Sequence, residues 1–80
     1  MKQGKYDEAD SLLGTLVHDY PYDITADLAL MTRGRLNEDQ LGRKETAMKY
    51  YEELMTNYPG SIYAVDARKR FRSLRGDKGF

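Results

Sequence analysis

Residues 4–30 and 42–68 align without a gap at an offset of 38. Gly4 corresponds to Gly42, Ala9 to Ala47, Leu16 to Leu54, Tyr20-Pro21 to Tyr58-Pro59, Ile24 to Ile62, Ala26 to Ala64 and Ala29 to Ala67, while Leu13 and Tyr51 keep a bulky residue at one position. The matched residues are small or apolar at helical spacings and the unmatched ones are mostly polar, which is the signature of a repeated buried seam. An internal period of this length constrains the fold more than composition does, because each unit can bury its apolar face only against a neighbouring unit.

Each copy reads as helix, Tyr-Pro break, helix. Tyr6, Ala9, Leu13, Leu16 and Tyr20 advance by three or four residues and so fall on one stripe of a first helix. Pro21 ends it, since the residue before a proline is pushed out of the helical region. Asp23 and Ser61 stand two residues after each proline and are of the types that accept the first free amides of a following helix. The second helix carries Ile24, Ala26, Leu28, Ala29, Leu30 and Met31, and is expected to fade near Leu36, because Asn37-Glu38-Asp39-Gln40 offers no apolar anchor. A third helix carries Ala47, Tyr51, Leu54 and Tyr58 and closes at Pro59-Gly60. A fourth carries Tyr63, Ala67, Phe71 and Leu74 and stops at Gly76. The expected fold is all-α, with four antiparallel helices at about 5–19, 23–37, 43–57 and 61–75.

The run Gly4-Lys5-Tyr6-Asp7-Glu8-Ala9, followed by Leu13, Leu16 and Pro21, resembles the second helix of a tetratricopeptide repeat (TPR). Gly42, Ala47, Tyr51, Leu54 and Pro59 repeat the pattern, with Lys44 where Tyr6 stood. The period departs from the ~34 residues of that family, the surplus lying between Pro21 and Gly42 and adding either a turn to the helix or length to its loop. Tyr58-Pro59-Gly60-Ser61 followed by Ile62, Ala64 and Ala67 is similar to the breaks of envelope-associated bacterial repeat proteins, which implies a divergent bacterial repeat protein, a scaffold or assembly role and the cell envelope or periplasm. The resemblance implies antiparallel helix pairs in a short right-handed TPR-like solenoid. It also implies a groove lined by the segments 24–36 and 62–74. Candidate partner-binding residues are Asp27, Met31 and Arg35 on the former and Arg68, Arg72 and Arg75 on the latter, where arginine could grip a carboxylate with two parallel hydrogen bonds.

The chain is expected to be a single domain over residues 1–80. Residues 1–21 form the second helix of one repeat, 22–59 a full repeat, 60–75 a capping helix and 76–80 a frayed tail. Eighty residues bury only about 60% of the unfolded chain's surface. With no cysteine to supply a disulfide, packing must hold the fold. Repeat arrays usually need about three units, so the stripe from Tyr6 to Tyr20 is expected to lie open, either because the array extends further or because copies self-associate. No apolar run approaches the ~20 residues that cross a bilayer.

Net charge is zero, with 13 basic and 13 acidic residues, but unevenly spread. Residues 1–61 hold 7 Lys/Arg against 11 Asp/Glu, and 62–80 hold 6 against 2. The basic set Arg68, Lys69, Arg70, Arg72, Arg75 and Lys78 raises nucleic-acid binding as a rival reading, against which the overall neutrality and the acidic remainder count.

Motifs for catalysis are absent. There is no Gly-x-x-x-x-Gly-Lys loop, no His-Glu-x-x-His pair and no cysteine nucleophile. His18, near a helix end beside Asp19, reads as a surface histidine. Glu52 and Glu53 point about 100° apart on a helix and cannot flank one bond together. Asp7 and Asp10 share a face without the further oxygen ligands calcium needs, and both pairs read as solvated. No cofactor, metal or small-molecule substrate is expected. The expected role is non-catalytic binding of a peptide or protein partner, with a structural or self-associating segment as the alternative.

Overall fold

The computed structural model describes residues 2–76, and the tail 77–80, including Lys78, lies outside the described residues. Four α-helices follow one another: α1 (Lys2–Asp19), α2 (Ala26–Arg35), α3 (Lys44–Asn57) and α4 (Ala64–Arg75), with a π-helical turn at Leu36–Gln40 continuing α2. Each helix packs on its sequence neighbours, α1 on α2, α2 on α3 and α3 on α4. The result is a slab of 38 × 31 × 14 Å, little more than one helix thick.

The breaks fall at the two prolines. Regular helix begins three residues later than the capping residues implied, at Ala26 and Ala64, because a tight turn comes first. Ala26 N–H donates to Asp23 O at 3.0 Å, and Ala64 N–H to Ser61 O at 3.1 Å. Asp23 and Ser61 serve these turns as caps, Asp23 Oδ1 accepting Thr25 N–H at 2.9 Å and Ser61 Oγ accepting Tyr63 N–H at 3.0 Å. The C-terminal stop is Gly76, left-handed at φ +95°, whose N–H donates back to Arg72 O and Ser73 O.

Helix α2 does not fade at Leu36. The polar stretch 37–40 stays helical, with polar anchors in place of apolar ones. Asn37, fully buried, donates to Asp10 Oδ1 at 2.9 Å and to Arg33 O at 2.8 Å. Glu38 Oε1 accepts Tyr51 Oη–H at 2.7 Å and Arg70 Nη1–H at 3.0 Å. The turn closes when Leu41 N–H donates to Leu36 O and Arg43 N–H to Asn37 O, across Gly42 at φ +64°. The stretch between Pro21 and Gly42 that lengthens the repeat is thus taken up by α2 and its π-helical extension.

The core lies on α3. Ala47, Tyr51 and Leu54 are fully buried against Ala29, Leu30 and Met31 of α2 and Ala67 of α4, with Val17 of α1 completing the cluster. Helices α2 and α3 approach closely at Gly34, where a Cβ would stand 2.4 Å from the Tyr51 ring. Tyr63, Phe71 and Leu74 of α4 pack partly buried on the same cluster.

The face of α1 that meets α2 differs from the expected stripe. Asp10 and Val17 are its buried residues, and Leu13 is half-buried. Asp10, read from sequence as solvated, is held by Arg33, whose Nε donates to Oδ1 at 2.7 Å. Asp7 pairs with Arg43 at 2.7 Å. Leu16 and Tyr20 are exposed, so part of the stripe lies open, and Leu12 beside it is exposed as well. The isoleucines of the seam also face solvent, Ile24 at 92% and Ile62 at 82% exposure, because both sit in the turns ahead of the helices.

Candidate binding surface

Two surfaces offer recognition chemistry. The first follows from the breaks. Pro21 sends the chain across the C-terminal end of α3, and a cleft of ≈ 700 Å³ opens between the turn from Pro21 to Asp27 and the residues Thr56, Asn57 and Tyr58. Its walls are tied together, since Tyr58 Oη–H donates to Pro21 O at 2.6 Å and Ser61 Oγ–H to Asp27 Oδ2 at 2.6 Å. Tyr22, at 98% exposure, and Ile24 stand at its edge. Asp23 contributes a carboxylate held below its ordinary range by the hydroxyl and amide of Thr25. Asp27 contributes another, whose Oδ1 accepts Leu28 N–H at 2.8 Å.

The second surface is the exposed side of α2 and α4. Arg68 and Arg72 lie one turn apart on the solvent face of α4. Arg75 stacks its guanidinium over Phe71 at 5.3 Å from the ring centre. Arg35 is exposed at the far end of α2, in a shallow depression with Thr32, Leu36, Asp39 and Gln40. Asp27 sits at the opposite end of α2, about 12 Å away along the axis. The six candidate residues therefore do not converge on one spot. Met31 corrects the expectation outright: at 3% exposure it belongs to the core, because α2 is covered by α1 on one side and α3 on the other.

Among the residues of the nucleic-acid rival, Arg70 is turned inward, with Glu38 at 3.0 Å, Asp66 at 3.6 Å and Asp39 at 3.8 Å, so its charge is spent within the fold. His18 is exposed beside Asp19, as its position near the helix end implied.

The cleft residues Tyr22, Thr56, Asn57 and Tyr58 were not singled out as a site from sequence. One signal pointed there: an isoleucine recurs three residues after each proline, in a segment too short to bury it.

The Tetratricopeptide repeat family model matches residues 28–61, from within α2 through the π turn and α3 to the second break. No curated protein and no solved structure matches the chain. Such repeats generally mediate protein–protein interaction and are typically non-enzymatic. Among the described residues no helix is long and apolar enough to cross a membrane. With four helices, each packed on its sequence neighbours, and the tetratricopeptide pattern matched over residues 28–61, the fold is all-α and TPR-like.

Proposed function

We propose that the chain is a non-catalytic interaction module that holds a peptide or protein partner on the exposed face of α2 and α4, as part of a scaffold or assembly factor. The observation that carries this reading is the exchange of residues between the two equivalent helices. Leu30, Met31 and Gly34 are buried in α2, and the positions 38 residues later are Arg68, Lys69 and Arg72, all exposed. Charge has replaced core there, which suits α4 to the role of a cap over α2 and α3 with its outer face open to a partner. Arg68 and Arg72 project from that exposed face and are suited to a partner's carboxylates. Affinity capture from the native source with Arg68→Glu/Arg72→Glu beside the unaltered chain tests the site. Loss of the captured partner supports it, and unchanged capture removes the arginines.

A second reading, a structural segment that associates with its own copies through α1, draws on the exposed Leu12, Leu16 and Tyr20. Self-pairing must dissociate by mass action, so light scattering over a dilution series separates the two.

A further inference from the structure

The cleft beside the first break combines features that the α2/α4 face lacks. Its lining joins apolar and aromatic side chains, Pro21, Tyr22, Ile24 and Tyr58, to two carboxylates, Asp23 and Asp27. The carboxylates Asp7, Asp10, Glu38 and Asp66 all have an arginine partner within the fold. Asp23 and Asp27 are bonded instead to neutral donors: the Thr25 amide and hydroxyl, the Leu28 amide and the Ser61 hydroxyl. Among the described residues no cation pairs with either of them. The neutral donors keep both charges in place without cancelling them. The walls are fixed in advance by the bonds from Tyr58 to Pro21 and from Ser61 to Asp27, so little ordering is needed on binding.

We infer that this cleft is a second docking site, and that its occupant is a segment of a partner protein placing one lysine or arginine beside an apolar side chain. The cation meets the uncancelled carboxylates and the faces of Tyr22 and Tyr58, while the apolar neighbour covers Ile24 and Pro21. Charge decides the occupant's sign: a segment bearing a carboxylate would be repelled by both aspartates.

The test is a backbone-amide NMR titration of the full chain with three capped tripeptides: acetyl-Leu-Arg-Leu-amide and its analogues with Gln or Glu in the middle. The expected result is saturable shifts of the Tyr22, Ile24, Asn57 and Tyr58 amides with the arginine peptide. Binding should weaken roughly three- to five-fold with glutamine and be lost with glutamate. Raising salt from about 50 to 500 mM should weaken the arginine peptide towards the glutamine one. Asn57→Lys, an exposed rim change that leaves both carboxylates bonded as they are, should weaken it similarly, and Tyr22→Ala/Ile24→Ala should abolish it without loss of stability. Equal binding of the arginine and glutamate peptides, shifts confined to other surfaces, or no shifts overturn the inference. So does movement of the cleft amides on simple dilution, which would make a second copy of the chain the occupant. Because Arg68 and Arg72 take no part, the outcome is independent of the α2/α4 proposal.

Discussion

Asn37 shows how much one side chain can determine here. Both of its amide protons are committed, to Asp10 and to the Arg33 carbonyl, while its Oδ1 has no partner. Reversing the amide would set that oxygen against two acceptors, so the orientation is fixed. Asn37→Ala strands Asp10 Oδ1 with Arg33 alone in a buried site, and should lower stability by about 1–3 kcal/mol in urea unfolding. Glycines separate by surroundings in the same way. Gly34→Ala forces a methyl onto the Tyr51 ring and should cost about 1–3 kcal/mol. Gly4→Ala meets nothing within 4 Å in a helical position and should gain up to about 1 kcal/mol. Tyr51 carries a pH signature. Burial first, and then its bond to Glu38, push its hydroxyl well above the ordinary value near 10. A raised folded-state value favours the neutral phenol, so this contribution is intact below about pH 10 and is lost as pH climbs beyond it. Tyr51→Phe should therefore be about 1 kcal/mol less stable at neutral pH, yet lose stability less steeply above pH 10. Burial raises Tyr50 and Tyr58 as well, which leaves a residual slope in the variant.

At the scale of the element, the π turn is where reading the sequence and seeing the fold part company. Four helices and both Tyr-Pro breaks follow from spacing, because apolar stripes and prolines act locally. The late starts at Ala26 and Ala64 do not, since the turns ahead of them depend on bonds from Asp23 and Ser61 that a residue pattern cannot place. The π turn was missed for a related reason. Its anchors are a carboxylate, a phenol hydroxyl and a guanidinium supplied by three other helices, and an apolar-anchor rule sees only a polar run. Ile24 and Ile62 failed the opposite way, matched as seam residues although the turns leave them in solvent. If Glu38 is the main clamp, Glu38→Ala should free Tyr51 and Arg70 together and loosen the turn before the helices melt. Hydrogen exchange at Leu41 and Arg43, whose amides close the turn, should then accelerate about ten-fold or more, while that of Leu54 on α3 stays close to its original rate. Uniform acceleration across all helices would mean that the clamp stabilises the whole fold and not the turn.

For the whole molecule, the repeat places identical residues in unequal surroundings. Leu16 and Leu54 occupy the same position in their units, but Leu54 is enclosed between α2 and α4, at 0% exposure, and Leu16 stands at 47% on a helix with a neighbour on one side only. That openness was legible in the 38-residue offset, because α1 matches α3 while nothing in these residues matches α2 ahead of it. The charged outer face of α4 was legible as well. What the offset could not give is which open surface is used, since exposure alone does not distinguish a bare end from a covered one. The leucine pair supplies that distinction. Leu54→Ala should cost about 2–5 kcal/mol at any protein concentration, as a cavity in a closed core does. Leu16→Ala should cost only about 1 kcal/mol if the chain is a monomer, because a leucine with half of its surface in solvent has only part of its burial to lose. If copies close over α1, the unaltered chain's melting temperature must rise with concentration and Leu16→Ala must flatten that rise. Melting both variants and the parent chain over a hundred-fold concentration range therefore decides between a binding module that works alone and a segment that completes its stack with a second copy.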